Sequence, residues 1–591
     1  MKRIIFAFVI SLSLIAVSLA SPETILIASA QAVGGPRKGG ILISGLPADP
    51  ATLNPGMTTS IYSHTCADGV FNSLLETQLD LSVRPGLAEK WEVSSDGLTY
   101  TFYLVKNATW HDGKRFTSAD VKFTFEQILI PFHPQGKVSF GVIQSIETPD
   151  DFTVRFKLGK LWPAFIPLLG STYTAPILSK SVYEGTDILQ NPANWKPVGT
   201  GAFKFVEYVK GDRVVLERNP NYWRAGKPYL DKLIVKIVPS LETAVLAFQA
   251  GEIDYLGYWV TYDFLKRLEG PTVTITFEGS NALAGVSWLY FNLDHPILKT
   301  LKVRQAIAHA IDRNKISEVV RLGHCPVAVG PVHEATKWAY DPNLQPSYAY
   351  DPKKAEQLLD EAGFPRKEGG IRFKLNLNGM IGQYWNVYAE MIAQEYLKAV
   401  GIEVNHQTLA LGTADQLLFT SREFDLAVRR FSLGPSTEAG LMTTFASDQV
   451  GKGSYTNAMN YRNPRAEALL VQSQTESDPA KRRQLILEWQ SIIMTDLPGL
   501  PLLQEYFFQA YKKDWVGIPC NPYSSQTMFA ENVWWTKGTL IEVPKTTTTA
   551  TTVAQAAPDM TGPAVAVAVV AIIAAVGLYM MRKKQTKPKA S

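Results

Sequence analysis

Cysteine is scarce in this chain: Cys66, Cys325 and Cys520 are the only three in 591 residues. At most one disulfide can form, which excludes a disulfide-framed scaffold, and the wide spacing excludes a Cys-x-x-Cys zinc pair. Histidine is almost as rare, with 8 scattered residues that offer no acid–base dyad. His333-Glu334-Ala335-Thr336-Lys337 begins like a zinc-protease helix, but Lys337 stands where the second histidine is required. There is no Gly-x-Ser-x-Gly elbow, and Gly199-Thr200-Gly201 and Gly451-Lys452-Gly453 are too short for phosphate loops. No catalytic residue, metal site or cofactor is therefore expected.

Excess charge is missing too. Seven cations (Lys2, Arg3, Arg582, Lys583, Lys584, Lys587 and Lys589) lie at the two ends, and without them the formal charge of +4 becomes −3. That removes the basic face a nucleic-acid partner wants. Long apolar runs are confined to the same ends. Ile4 to Leu19, behind Lys2 and Arg3, has the layout of a secretory signal over residues 1–32, with cleavage expected after Ala20 or Ala32. No cysteine near that region offers a lipid attachment point. Ala564 to Met581 holds 18 uncharged residues, close to the ~20 that span a ~30 Å hydrocarbon layer. The cations that follow favour a cytoplasmic tail over 582–591, so a transmembrane helix and an extracellular ectodomain are expected. A Thr-, Ala- and Pro-rich stalk, 544–562, precedes it.

What is abundant is aromatic: 13 Trp, 24 Tyr and 27 Phe, which suits a lined extracellular cavity as well as a core. Between Gly39 and Val543 strand and helix signals alternate, indicating mixed α/β lobes. Leu98 to Leu104 alternates as a half-buried strand after the Ser95-Asp96-Gly97 turn. Thr117-Ser118-Ala119-Asp120 reads as a capping box opening a helix. Asp351-Pro352 starts another, with Gly363 as its stop. One helix is expected from Lys302 to Ile316, with Val303, Ile307 and Ile311 on one face. Further strands are expected at Arg213 to Leu216, Lys232 to Val238, Thr272 to Phe277, Trp288 to Asn292 and Ile371 to Leu377. His111-Asp112-Gly113 reads as turn chemistry, and Asn107-Ala108-Thr109 is an N-glycosylation sequon.

These pieces also carry a resemblance. Pro85 to Trp91 (Pro-x-Leu-Ala-x-x-Trp), Asp96 to Phe102, and the His-Asp-Gly turn with its Thr-Ser-Ala-Asp-Val helix start follow in order. Pro197 to Phe205, Leu216 to Trp223, Ala250 to Asp254, Tyr290 to Asn292, Val303 to Arg313 and Tyr350 to Ala355 continue the series. Over Gly39 to about Trp535 the chain resembles the family 5 extracellular solute-binding proteins, the oligopeptide- and dipeptide-binding components of ABC importers. The resemblance implies a two-lobed periplasmic-binding-protein-like fold with a hinge that closes over a ligand. Lobe I would hold 39–286 plus 495–542 and lobe II 287–494, with Trp288 to Asn292 and Asp496 to Leu503 crossing between them. A membrane permease and an ATPase would take the cargo. Signal, stalk and C-terminal anchor together look archaeal.

Peptide is the default cargo the resemblance implies, with oligosaccharide beside it. Peptide-binding relatives place a Trp and then an acid after a Phe-Asp strand, to hold the free amino group. Here Phe424-Asp425-Leu426-Ala427 leads to Phe431 and Gly434 at those places, and no acid follows until Glu438. A buried ammonium without a carboxylate is costly. Arg429 and Arg430 read either as contacts to an anionic ligand or as surface charges. The cavity candidates are Tyr62, Trp259, Asn292, Tyr384, Trp385 and Phe431. An ectoenzyme or surface-layer protein on a stalk is the alternative from another class.

Overall fold

The computed structural model describes residues 35–540, apart from 68, 79–81, 258, 278–284, 381–383, 432, 434–436, 453–455 and 519–529. The chain divides into two units, Met1–Ile541 and Glu542–Ser591, and the second lies outside the described residues. So do the expected signal and the apolar run 564–581. Among the described residues no helix is long and apolar enough to cross a membrane.

A seven-stranded sheet runs in the order Val273–Thr276, Gln509–Lys512, Tyr255–Leu256, Ile41–Leu46, Lys232–Ile237, Arg213–Arg218 and Phe203–Val209. Its middle three strands are parallel and the outer pairings antiparallel. Lys232–Ile237 alternates exposed or half-buried with buried positions, placing Leu233, Val235 and Ile237 in the core under the sheet. The last described segment is tied to this lobe by charge. Glu531, buried, accepts from Tyr222 Oη at 2.5 Å and from Arg224 Nη1 at 2.7 Å, and Arg224 also pairs with Glu76 at 2.7 Å. The Arg224 and Lys227 cations oppose the effect of burial and hold the Glu531 carboxyl below the usual carboxylate range.

A four-stranded antiparallel sheet, Ala88–Val93, Thr99–Leu104, Thr153–Leu158 and Ile143–Asp150, forms a second layer in the same part of the chain. Phe102, Phe125, Phe156 and Phe165 meet edge-to-face behind it. The helix Ser118–Phe123 opens on the expected capping box between Thr117 and Asp120. The His-Asp-Gly segment is a turn: Gly113 has φ +87°, and Asp112 Oδ1 accepts from the Lys114 N–H at 3.1 Å. His64 and His133 are buried and donate from Nε2 to the Thr58 and Tyr173 carbonyl groups, at 3.0 and 3.2 Å, and His133 Nδ1 accepts from the Gln135 N–H at 3.2 Å.

The third sheet orders Ile402–Leu409, Phe373–Met380, Leu426–Phe431, Val286–Phe291 and Gly499–Gln504. The first three strands are parallel; Val286–Phe291 runs against both its neighbours. All six residues of Val286–Phe291 are buried, so the strand has a core on each face. Leu289 and Phe291 enter one, Val286, Trp288 and Tyr290 the other, as the two-residue period requires. The helix Pro352–Glu361 begins as expected, with Asp351 accepting from the Lys354 N–H and Gly363 at φ +86° after its end. The helix expected from Lys302 to Ile316 is instead two, Leu301–Ala310 and Arg313–Arg321. Ile311 turns extended, and Asp312 caps a new helix through the Lys315 N–H at 3.0 Å. Apolar spacing alone does not register such a restart.

Burial holds His64 down to about 3 and His133 down to about 4, so both are neutral in the fold. The unfolded chain takes up protons on them below about pH 6.5. Acidification from pH 6.5 to 4 therefore lowers unfolding free energy, by up to about 1.4 kcal/mol per pH unit for each histidine. Urea midpoints at several pH values should fall over that window, and His133→Asn should flatten the slope.

Candidate ligand-binding cleft

The chain passes between the seven- and five-stranded sheets twice. One passage leads from Thr276 to Val286, through residues outside those described. The other, Glu505 to Phe508, joins Gly499–Gln504 to Gln509–Lys512. Residues 499–504 thus pair within the five-stranded sheet, and the chain enters the seven-stranded sheet at Gln509. The passages run side by side, since the Glu505 N–H donates to the Gly285 carbonyl at 2.9 Å.

Strand direction fixes what faces this crossover. Phe431, the carboxyl end of its strand, lies level with Val286 and Gln504, and Met380 and Leu409 end their parallel strands towards the same edge. Leu46 and Leu256 end parallel strands of the other sheet at the edge where Gln509 enters. In open α/β sheets ligands bind outside the carboxyl ends of strands, where loops and helix starts converge. Here two such edges flank one crossover.

The crossover itself is a buried polar cluster. Arg321 and Glu505 pair with side-chain exposures of 2% and 0%. Tyr388 Oη receives a hydrogen bond from Arg321 Nε at 2.8 Å and donates to Glu505 Oε1 at 3.1 Å. The guanidinium lies 5.1 Å from the Tyr262 ring centre. Tyr262 Oη donates to the Tyr506 carbonyl at 2.9 Å, and the Tyr506 N–H reaches Cys325 Sγ at 3.4 Å. Along the chain, Tyr262 lies between Tyr255–Leu256 and Val273–Thr276 of the seven-stranded sheet, and Arg321, Tyr388 and Cys325 lie between Val286–Phe291 and Leu426–Phe431 of the five-stranded one. Burial first, then the Glu505 charge, pushes the Cys325 thiol up to about 12. Cys325 and Cys66 are both free and buried, while Cys520 lies outside the described residues.

The expected cavity residues divide. Tyr62 sits half-buried on the helix Ile61–Cys66, after the end of Ile41–Leu46, and burial raises its phenol. Trp259 follows Tyr255–Leu256, half-buried, with its indole N–H donating to the Gly45 carbonyl at 3.2 Å. Tyr384 and Trp385 open the helix Tyr384–Met391 beyond Phe373–Met380; their side chains lie outside those described. Trp259, Tyr384 and Trp385 follow strand carboxyl ends within a few residues, whereas Tyr62 comes a longer segment after one. Phe431 itself ends a strand, but its ring is buried against Trp288 and Phe445 at 6.0 and 5.8 Å. Asn292 falls at the far edge, because its strand runs antiparallel. Its amide donates to the Phe424 carbonyl at 2.8 Å and accepts from Asn460 at 3.0 Å.

Composition gave no sign of other polar groups at this edge. Arg429 is buried at 3% exposure, not the surface charge one reading allowed. Asp415, half-buried on the helix Leu411–Asp415, has its carboxyl raised by burial, with the Arg429 charge opposing. Tyr506 Oη donates to Glu334, and Arg430 lies 4.9 Å from the Phe507 ring centre. Burial and the Arg430 charge hold His333 down to about 3. Glu438, the first acid after the Phe-Asp strand, is buried and paired with Arg482.

The sequence model for bacterial extracellular solute-binding proteins, family 5 Middle, matches residues 82–453. The chain belongs to this family. Family 5 members are binding proteins, not enzymes. The heme-binding protein A of Haemophilus influenzae is 29% identical over 82% of this chain and 90% of its own. The oligopeptide-binding protein AppA of Bacillus subtilis is 29% identical over 85% of this chain and 93% of its own. Its structure with a nonapeptide aligns at a TM-score of 0.71, with 27% identity over 85% of this chain and 99% of that one. The Helicobacter pylori DppA structure with the peptide STSA aligns at 0.70, with 28% identity over 85% and 99%. The two-lobed family 5 fold is thus the architecture described above.

Breaking the crossover pair leaves a buried charge alone. Arg321→Met should cost about 3–5 kcal/mol in urea unfolding, and Arg321→Met with Glu505→Leu much less than the two single losses added.

Proposed function

We propose that this chain is the extracellular receptor of an ABC importer, taking peptides into the cleft between its lobes. A membrane permease and its cytoplasmic ATPase then receive the cargo. The observation that carries the reading is the double crossover flanked by the carboxyl edges of two sheets, in a chain of this family. Closure follows from binding, because only the closed state touches the ligand from both sides. Tyr62 and Trp259 supply aromatic walls, Tyr384 and Trp385 are further candidates at a helix start, and Arg429 with Asp415 supplies charge. Ala564 to Met581 anchors the receptor beside its permease, in an architecture that looks archaeal.

Oligosaccharide is the second reading. It is favoured by Glu438, whose pairing with Arg482 leaves the first acid after the Phe-Asp strand already engaged. Sugar hydroxyls need no carboxylate, and aromatic walls suit their rings.

Mass spectrometry of ligand released from the purified protein separates the two. A ligand at 100 times its Kd should stabilise the fold by about 2.7 kcal/mol, seen as a rise in melting temperature. Small-angle scattering should shrink on binding, and Trp259→Ala should weaken affinity at least tenfold. Turnover of the ligand, or scattering unchanged at saturation, would overturn the proposal.

A further inference from the structure

Asn107-Ala108-Thr109 is the one Asn-x-Ser/Thr sequon in the chain. It follows the strand Thr99–Leu104, far in sequence from the crossover. Ala108 is buried at 1% exposure and pins the tripeptide, while Asn107 remains exposed. Thr109 is held by a bridge to Arg115. Asn107 Nδ2 donates to the Trp223 carbonyl at 2.9 Å, which uses one of its two hydrogens.

Beside it lies an open recess of about 500 Å³, with Thr109, Gly113, Asn221, Trp223 and Ala225 on its walls. Gly113 adds no bulk, and a Cβ there would meet nothing within 4 Å. Trp223 is half-buried, and Asn221 exposed. The recess is large enough for a sugar or two, with an aromatic wall and amide and hydroxyl groups to meet hydroxyls. Asn107, the side chain that a glycan would extend, lines it as well.

We propose that Asn107 is an N-glycosylation site and that the first sugar of its glycan is seated in this recess. The donor is a lipid-phosphate-linked oligosaccharide met outside the membrane, so the assignment rests on export of the chain. The Nδ2–C1 bond forms as the C1–O bond to phosphate breaks. The phosphate leaves with that electron pair, and the proton displaced from Nδ2 passes to it. The remaining Nδ2 hydrogen still reaches the Trp223 carbonyl, so linkage is compatible with the folded loop.

The test uses the full chain purified from its own cells. Peptide mass spectrometry should find a sugar mass on the Asn107 peptide, lost in Asn107→Gln and Thr109→Ala and kept in Thr109→Ser. Amidase release of the glycan should be at least tenfold slower from folded than from unfolded protein. An unmodified Asn107 peptide, or a mass that survives Thr109→Ala, overturns the site. Equal release rates overturn the seat in the recess.

Discussion

The arrangement of both lobes depends on one buried ion pair. Arg321 and Glu505 have almost no access to solvent, and a pair so placed repays its desolvation only with good geometry and satisfied neighbours. Tyr388 bridges the two charges and Tyr262 places its ring against the guanidinium. Glu505 sits at the point where the chain leaves one sheet for the other. The pair fixes the direction in which that passage leaves, and so which strand edges oppose each other across the cleft.

Around that pin the chemistry is graded. Close to the crossover the polar groups are mutually satisfied, as in Tyr506 with Glu334 and Tyr262 with the Tyr506 carbonyl. Farther out stand half-buried aromatics and a partly buried acid facing a buried arginine. The first set closes the crossover; the second keeps part of its surface exposed. Relatives of this fold carry cargo as different as a nonapeptide and heme by name, consistent with specificity residing in the outer set.

Much of this was legible in the sequence where a local rule has a single outcome. Thr117 with Asp120, and Asp351 with Pro352 and Gly363, set helix ends that the structure keeps. The strands followed their two-residue period. Family motifs supplied two lobes that periodicity could not. What failed to show were consequences of strand direction and burial. Asn292 follows the end of an antiparallel strand, at the edge opposite the carboxyl ends of the parallel ones. Phe431 shares a face with Trp288, and that face is core. Arg429 and Arg430 fall on opposite faces of one strand, and Arg429, level with Trp288, is on the face that is core. Asp312 divides a helix whose apolar spacing runs on unbroken, since a cap and a continuing turn look alike in sequence.

The position of Gln509–Lys512 has a bearing on how the molecule is made. This late segment fills an interior place between Tyr255–Leu256 and Val273–Thr276, although more than two hundred residues are synthesised before it arrives. Until then the nascent first lobe has an open slot, with unpaired backbone on Tyr255–Leu256 exposed to strand addition by other chains. The ribosome must deliver the whole second lobe before the first can close its sheet. Completion of this sheet therefore waits for a distant segment, in a closing step that is long-range and slow.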